Sequence, residues 1–330
     1  MQIGFFFWPY KPQLVEQLAE RADRYGFSMI GIADTPGNAM DPWIAAALAG
    51  RATRKTKVAI CVTNLVTRQP SVSAAAVASL NLVTDGRAIL GIGAGNSGTR
   101  NLGQGKSTAK ELGEGVRFIR RLLRKERVPV GDGEAYLSWV ERPAPVFLAA
   151  SHPKALEAAG READGAFANY GLAAENIRDS EKRIHEAAIA AGRSPAEVEI
   201  WQIGALDCND DGELARNKVG AMLAFLAGYV IGDKNLETRG VPEKYREPLL
   251  ELRRRYSTRP GEADIKLVRE LGLFDYLSRR LAICGTPADC LAQTLAAKQA
   301  GAKRLMLTVS LAADTVKTVE LFGEHVMPRI

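Results

Sequence analysis

A (β/α)8 barrel is predicted for this chain of 330 residues, and three observations predict it. Apolar runs and helical runs alternate from Met1 to Ile330. The apolar runs are near-continuous, as in parallel strands covered on both faces. Each ends in small or polar residues, where such a barrel places its chemistry. Trp8-Pro9-Tyr10, Ala33-Asp34-Thr35, Thr63-Asn64 and Gly93-Ala94-Gly95-Asn96-Ser97 close the first four runs.

The elements follow in order. Residues 2–7 form the first strand. Leu14, Leu18, Ala22 and Tyr25 then recur at helical spacing, and Gly26 is suited to end that helix in the left-handed conformation. Residues 28–32 are the second strand; Asp41-Pro42 opens the next helix with a capping residue and a first-turn proline, and Gly50 lies near its end. Strand 57–62 precedes helix 71–83, and strand 87–92 precedes helix 108–123. Strand 145–150, helix 153–159, strand 165–168 and helix 173–191 continue the alternation. Residues 197–206 read as a strand of alternating character, and Asp211 starts a long helix through Ala227. Residues 236–277 are polar and helical in pattern, without a strand: a helical insertion before the last strand. Thr286-Pro287 opens a further helix, 304–309 is the eighth strand and 313–322 the last helix. The whole of 1–330 is expected to be one barrel domain. A doubly wound sheet lacks a place for eight such units. The glycines between Gly93 and Gly98 follow the fourth strand, and no acidic residue about twenty positions later completes a dinucleotide fingerprint.

Composition narrows the partners. The net charge is +6 and the pI about 9.1. Arg120, Arg121, Arg124, Lys125 and Arg127 close one helix, where cations are favourable. Arg253, Arg254 and Arg255 lie on another. No basic and aromatic stripe interleaves, so no nucleic-acid partner is expected. No apolar run reaches the ~20 residues of a membrane span. The first residues enter a strand without a basic lead, so no secretory signal is expected and the location is read as cytoplasmic. Cys61, Cys208, Cys284 and Cys290 have no metal-binding spacing, and His152, His185 and His325 are too few for a His-rich site; no metal is expected.

The strand ends supply the candidate site. Glycines at Gly93 and Gly95 let a flat ring or substrate approach the backbone, and Asn96 presents an amide to the mouth. Ala150, Ser151, His152 and Lys154 join the fifth strand to a helix whose free N–H groups suit an anion, with the Ser151 hydroxyl as a further donor or simply a cap. Asp34, at the end of the second strand, is a carboxylate for the ring or substrate, or a structural ion-pair partner. Phe5, Phe6, Phe7, Trp8 and Tyr10 make an aromatic first strand and mouth; Phe6 and Trp8 are candidates to stack on an apolar or aromatic substrate.

Four stretches together resemble a known family. They are Val62-Thr63-Asn64 with Thr67-Arg68-Gln69-Pro70; Gly86-Arg87-Ala88-Ile89-Leu90-Gly91-Ile92-Gly93; Pro153-Lys154 followed by Ala158-Ala159-Gly160 and Ala163-Asp164-Gly165; and Ile283-Cys284-Gly285-Thr286-Pro287 with Asp289-Cys290. In this order they resemble the bacterial luciferase-like superfamily, nearest its branch of methylenetetrahydromethanopterin reductases that use the deazaflavin coenzyme F420.

The resemblance implies a TIM barrel that is a homodimer or larger, with F420 or FMN at its C-terminal mouth. It implies an oxidoreductase acting on a small-molecule substrate, served by a separate flavin reductase if FMN is used. It places a cis peptide at Cys61–Val62 behind the ring, beside Thr63 and Asn64. The cofactor phosphate falls near Ser151 and near Ala168-Asn169-Tyr170. Departures are equally specific: the reductases usually carry a glutamate at Phe6, a histidine at Thr35 and an aspartate at Asn96. Asp34 then remains as the acid, with Asn96 beside it and Phe6, Trp8 and Thr35 facing the substrate. Ala94 lacks the arginine that FMN relatives often use for phosphate, which favours F420. An FMN-dependent monooxygenase and a non-catalytic flavin-binding barrel stand as alternatives.

Overall fold

A computed structural model describes residues 1–230 and 236–330, with the Tyr229 and Val230 side chains outside the description. Eleven strands are present among them: β1 (Gln2–Phe7), β2 (Met29–Ile32), β3 (Lys57–Asn64), β4 (Ala88–Gly93), β5 (Val128–Val130), β6 (Gly133–Ala135), β7 (Val146–Ala150), β8 (Gly165–Ala168), β9 (Glu199–Cys208), β10 (Ala282–Gly285) and β11 (Arg304–Thr308). Eight of them close a parallel ring in the order β1-β2-β3-β4-β7-β8-β9-β11, with β11 returning to β1. The predicted barrel is therefore present, built from the eight strands the sequence indicates.

The helices in chain order are α1 (Pro12–Tyr25), α2 (Pro42–Ala52), α3 (Pro70–Val83), α4 (Ser97–Arg100), α5 (Ala109–Leu123), α6 (Pro153–Glu162), α7 (Ala174–Ala190), α8 (Gly212–Val230), α9 (Arg246–Arg255), α10 (Glu262–Glu270), α11 (Phe274–Leu281), α12 (Pro287–Gln299) and α13 (Thr315–His325). Local chemistry sets their starts. Asp41 Oδ1 accepts from the Trp43 and Ile44 N–H groups, 2.9 and 3.3 Å away, ahead of Pro42. Thr108 and Glu111 form a reciprocal capping box at α5, and Thr286 and Asp289 another at α12. Gly26 ends α1 at φ 74°.

Three features differ from the sequence reading. β10 is an additional strand: Ala282–Gly285 pairs with Ala205 to Cys208 of β9, and Ala205 also pairs with Thr308 of β11. β10 therefore occupies the other edge of the upper half of β9. Four residues continuing directly from α11 carry no alternation by which to see them. β5 and β6 form a short antiparallel hairpin outside the ring, and α4 is a single turn in the loop after β4. β9 runs to Cys208, and from Ile200 onward every residue is buried, so the expected alternation of environments is absent. Helices cover one face of that strand and the barrel interior fills the other.

Two cores follow from the strand period. Phe5 and Phe7 face outward into the layer under the helices, where Phe5 meets Phe27 edge-on at 5.0 Å. Phe6 turns inward to the interior, which is filled by Met29, Ile89, Phe147, Phe167, Trp201 and Met306. That plug is the floor of the C-terminal mouth. The segment after residue 236 is helical and, among the described residues, holds no strand before β10. Leu249, Leu252, Val268 and Leu277 from it form one apolar cluster with Met222 and Leu223 of α8. This cluster fixes α9 beside the mouth. Among the described residues no helix is long and apolar enough to cross a membrane.

Candidate active site

The mouth holds a cavity of about 150 Å3. Thirteen of the fifteen residues expected at the site line it: Phe6 of β1 and Trp8 after it; Asp34 and Thr35 after β2; Cys61, Val62, Thr63 and Asn64 of β3; Gly95 and Asn96 after β4; Ala150 of β7 and Ser151 after it; and Asn169 after β8. His152 and Lys154 are outside this lining. The Cys61–Val62 peptide is cis, and the pairing of β3 with β4 shifts there, between Ile60 and Thr63. Trp8 and Phe225 of α8 meet edge-on at 5.4 Å across the opening. A second compartment of about 270 Å3 adjoins the first and shares Gly95 and Asn96 with it. Together the two reach the ~300 Å3 at which ligand pockets begin.

Asp34 is fixed from two sides. Its Oδ2 accepts from Thr63 Oγ1 at 2.6 Å and from Arg68 Nε at 3.0 Å. Arg68 also reaches Asp41 Oδ2 at 2.6 Å, so one guanidinium bridges two carboxylates. Asp34 Oδ1 is buried and has no hydrogen-bond partner among the described residues. The structural ion pair and an acceptor at the mouth thus belong to the same side chain, one oxygen each. Thr35 Oγ1 donates to Ser97 Oγ at 2.9 Å and ties the β2 end to α4. Asn64 shapes the β3 loop: its Oδ1 accepts from the Val66 and Thr67 N–H groups at 3.0 and 2.8 Å.

Asn96 is oriented by a chain of donors. Arg100 Nη1 lies 2.6 Å from the Tyr256 hydroxyl, and that hydroxyl lies 3.2 Å from Asn96 Oδ1. A guanidinium can only donate. The Tyr256 oxygen therefore accepts from Arg100, and its own proton goes to Asn96 Oδ1. The Asn96 Nδ2 is left buried with no partner among the described residues, a donor at the mouth. Burial raises the Tyr256 phenol above its ordinary range, against the lowering effect of Arg100 and Arg253, which keeps this proton in place. Two glycines hold the loop. Gly95 has φ 89°, and a side chain on Gly98 would press its Cβ to 2.9 Å from the Asp34 carbonyl oxygen.

The turn before α6 is open. His152 occupies the cap position without a side-chain cap bond, so Ser151 is not the cap, and Ser151 lines the cavity. Burial, then the charges of Arg239, Lys106 and Lys154, push the His152 imidazole down to about 4. Neutral at pH 7, it is set among cations at a helix N-terminus, an arrangement suited to an anion. Asn169 Oδ1 is a third buried atom at the mouth without a partner among the described residues.

A family model described as luciferase-like monooxygenase matches residues 10–304. The chain belongs to this luciferase-like family. A 5,10-methylenetetrahydromethanopterin reductase of Methanolobus tindarius is 28% identical over 340 aligned residues, covering 99% of this chain and 100% of the relative. Among solved structures, the coenzyme F420-dependent tetrahydromethanopterin reductase of Methanopyrus kandleri superposes with a TM-score of 0.79 at 22% identity, covering 99% of this chain and 98% of that one. An F420-dependent secondary alcohol dehydrogenase in complex with an F420–acetone adduct gives 0.75 at 20% identity, covering 98% of each chain.

In this luciferase-like barrel the sequence reading missed several residues that line the mouth or hold its side chains. Ile203 and Phe225 come from β9 and α8, Arg68 from the loop after β3, and Tyr256 from the end of α9. A larger cavity, about 620 Å3, lies at the opposite, N-terminal face. Several of its charged residues serve one another or the backbone: Glu199 is 3.7 Å from Lys57 and 3.8 Å from Arg304, while Arg87 donates to the Gly50 and Thr53 carbonyls at 3.0 and 2.9 Å. That face of such a barrel serves stability.

Proposed function

We propose that this luciferase-like oxidoreductase uses F420 for hydride transfer to or from a small organic substrate. The observation that carries the reading is the convergence on one apolar-floored mouth of three buried polar atoms without partners among the described residues, Asp34 Oδ1, Asn96 Nδ2 and Asn169 Oδ1. Buried polar atoms are rarely left unpaired, and a polar ligand would satisfy them. The end-to-end similarity to an F420-using reductase selects the cofactor, and the absence of an arginine at Ala94 agrees with that choice.

Bound F420 supplies the hydride-carrying carbon. Val62, Phe167 and Ile203 would form the apolar floor under its ring. The turn at Ser151 and His152 would hold its phosphate, beside Lys106, Lys154 and Arg239. Asp34, ion-paired to Arg68, accepts a hydrogen bond and does not donate one; Asn96 donates. Trp8 and Phe225 narrow the opening and exclude water from the reacting atoms. Thr35 and Phe6 complete the substrate side. The protein thereby positions and shields, and the redox chemistry is the cofactor's.

The test is expression in an F420-producing host, followed by absorption and mass analysis of the ligand that co-purifies. Recovery of F420 supports the reading, and recovery of FMN replaces it with a flavin-dependent monooxygenase. Reduction of bound cofactor by an electron donor, followed at its absorption band, separates an enzyme from a binding barrel.

A further inference from the structure

We propose that Arg280 is a positioning residue for the cofactor's anion: from inside the fold it holds together the two segments that carry Asn169 and Arg239. The inference deepens the proposed function and rests on it. Arg280 belongs to α11 and is 4% exposed. It makes no ion pair among the described residues, and its Nε has no hydrogen-bond partner among them. A buried cation without a carboxylate is costly, and its remaining hydrogen bonds must offset that cost.

Those bonds run to both segments. Arg280 Nη2 donates to the Arg239 carbonyl at 2.8 Å and to the Tyr170 carbonyl at 3.4 Å, while Nη1 donates to the Tyr276 hydroxyl. The Arg280 carbonyl in turn accepts from the Leu172 N–H at 2.6 Å. One residue therefore grips both ends of the turn 170–172, which follows Asn169 directly. Gly171, between them, has φ 132°, and a side chain there would press its Cβ to 3.1 Å from Arg280 Cγ and 2.7 Å from Asn176 Oδ1. The Tyr170 hydroxyl donates to the Thr238 carbonyl at 3.4 Å, a second tie to the other segment. There Glu237–Arg239 form a single 3-10 turn, which Gly240 closes at φ 62°. Arg280 holds the last carbonyl of that turn, so the Arg239 side chain leaves from a fixed backbone. Arg239 is buried, and its charge is felt at His152, at the start of α6. Arg280 thus sets an acceptor, Asn169 Oδ1, and a cation, Arg239, on the side where the phosphate is expected. A rigid fork serves its three acceptors at once, which an ammonium on a flexible stem does not.

Wild type and Arg280→Lys are compared in two readings. The first is nuclear magnetic resonance titration of the His152 ring in protein freed of ligand. Lys106 and Lys154 are unchanged in the variant, so release of the Arg239 turn should move the imidazole upward by about half a pH unit, the scale of one nearby charge in water. The second is F420 affinity by fluorescence quenching, which should fall about tenfold, the worth of one hydrogen bond to a charged group. An unmoved His152 overturns the proposal. So does an F420 affinity that stays unchanged although His152 has moved; Arg280 is then structural only. Circular dichroism spectra matching the wild type confirm that the variant is folded. If Arg280→Lys does not fold, Tyr276→Phe, which removes only the acceptor of Nη1, is judged by the same two readings and the same outcomes. The first reading uses no cofactor, so a wild type that takes up no F420 sinks the functional reading, while His152 still decides whether Arg280 sets the charge there.

Discussion

Asp34 Oδ2 and Arg68 Nε lie 3.0 Å apart and join the end of β2 to the loop after β3. Because Arg68 keeps Asp41 as a second partner, the pair can be broken without stranding a cation. Asp34→Asn should therefore lose only about 1–3 kcal/mol of stability. It should lower F420 affinity or turnover about tenfold to a hundredfold, the worth of a hydrogen bond to a charged acceptor. Denaturant titration and steady-state kinetics measure the two effects. Full activity and unaltered affinity would make Asp34 purely structural.

Trp8→Ala should change substrate preference more than cofactor affinity. Trp8 faces Phe225 across the opening, so its removal enlarges the substrate side and leaves the Cys61–Val62 floor in place. Comparison of kcat/KM across substrates of rising bulk should show a shift toward the larger ones. An unchanged ranking would remove Trp8 from the substrate wall.

The His152 imidazole should titrate near 4 without ligand and move upward when the cofactor phosphate arrives, because a neighbouring anion favours the charged form. The folded-state value lies below the ordinary 6.5, so this group's contribution to stability is complete above 6.5 and is lost as pH falls toward 4. Nuclear magnetic resonance titration of the ring follows both effects. Ser151→Asp should weaken F420 binding through like-charge repulsion and leave the fold intact. An imidazole unmoved by F420 would place the phosphate elsewhere.

Asp207 gives a pH effect of opposite sign. Burial raises its carboxyl from the ordinary 3.8 to about 7, although it accepts from the Ala313 N–H at 2.8 Å and from Thr318. Between those values the folded chain holds the proton more tightly, so this contribution is present below 3.8 and is lost as pH rises toward 7. The stability difference between wild type and Asp207→Asn, measured by denaturant titration across that window, should move against the wild type as pH rises. A difference independent of pH would mean that Asp207 is not perturbed.

The barrel was legible because each ring strand is a compact apolar run with a turn or capping signal after it. Asp34 and Asn96 were legible for the same reason: a strand end fixes where the next residue points. Arg68, Phe225 and Tyr256 were not. Arg68 reaches Asp34 across a loop, and Tyr256 reaches Asn96 only because α9 packs on α8 through Leu249 and Leu252. Such neighbours are set by tertiary packing, which spacing in the sequence does not encode. β10 was hidden because Ala282–Gly285 follows α11 without a break. The division of labour at Asp34, one oxygen in an ion pair and the other at the mouth, needed coordinates to see.

The most direct measurement is a titration of the purified chain, freed of ligand, with F420 and separately with FMN, followed by quenching of cofactor fluorescence. The account predicts saturable F420 binding that weakens in both Asp34→Asn and Ser151→Asp, with FMN binding far more weakly. Tight FMN binding with no F420 binding would contradict it.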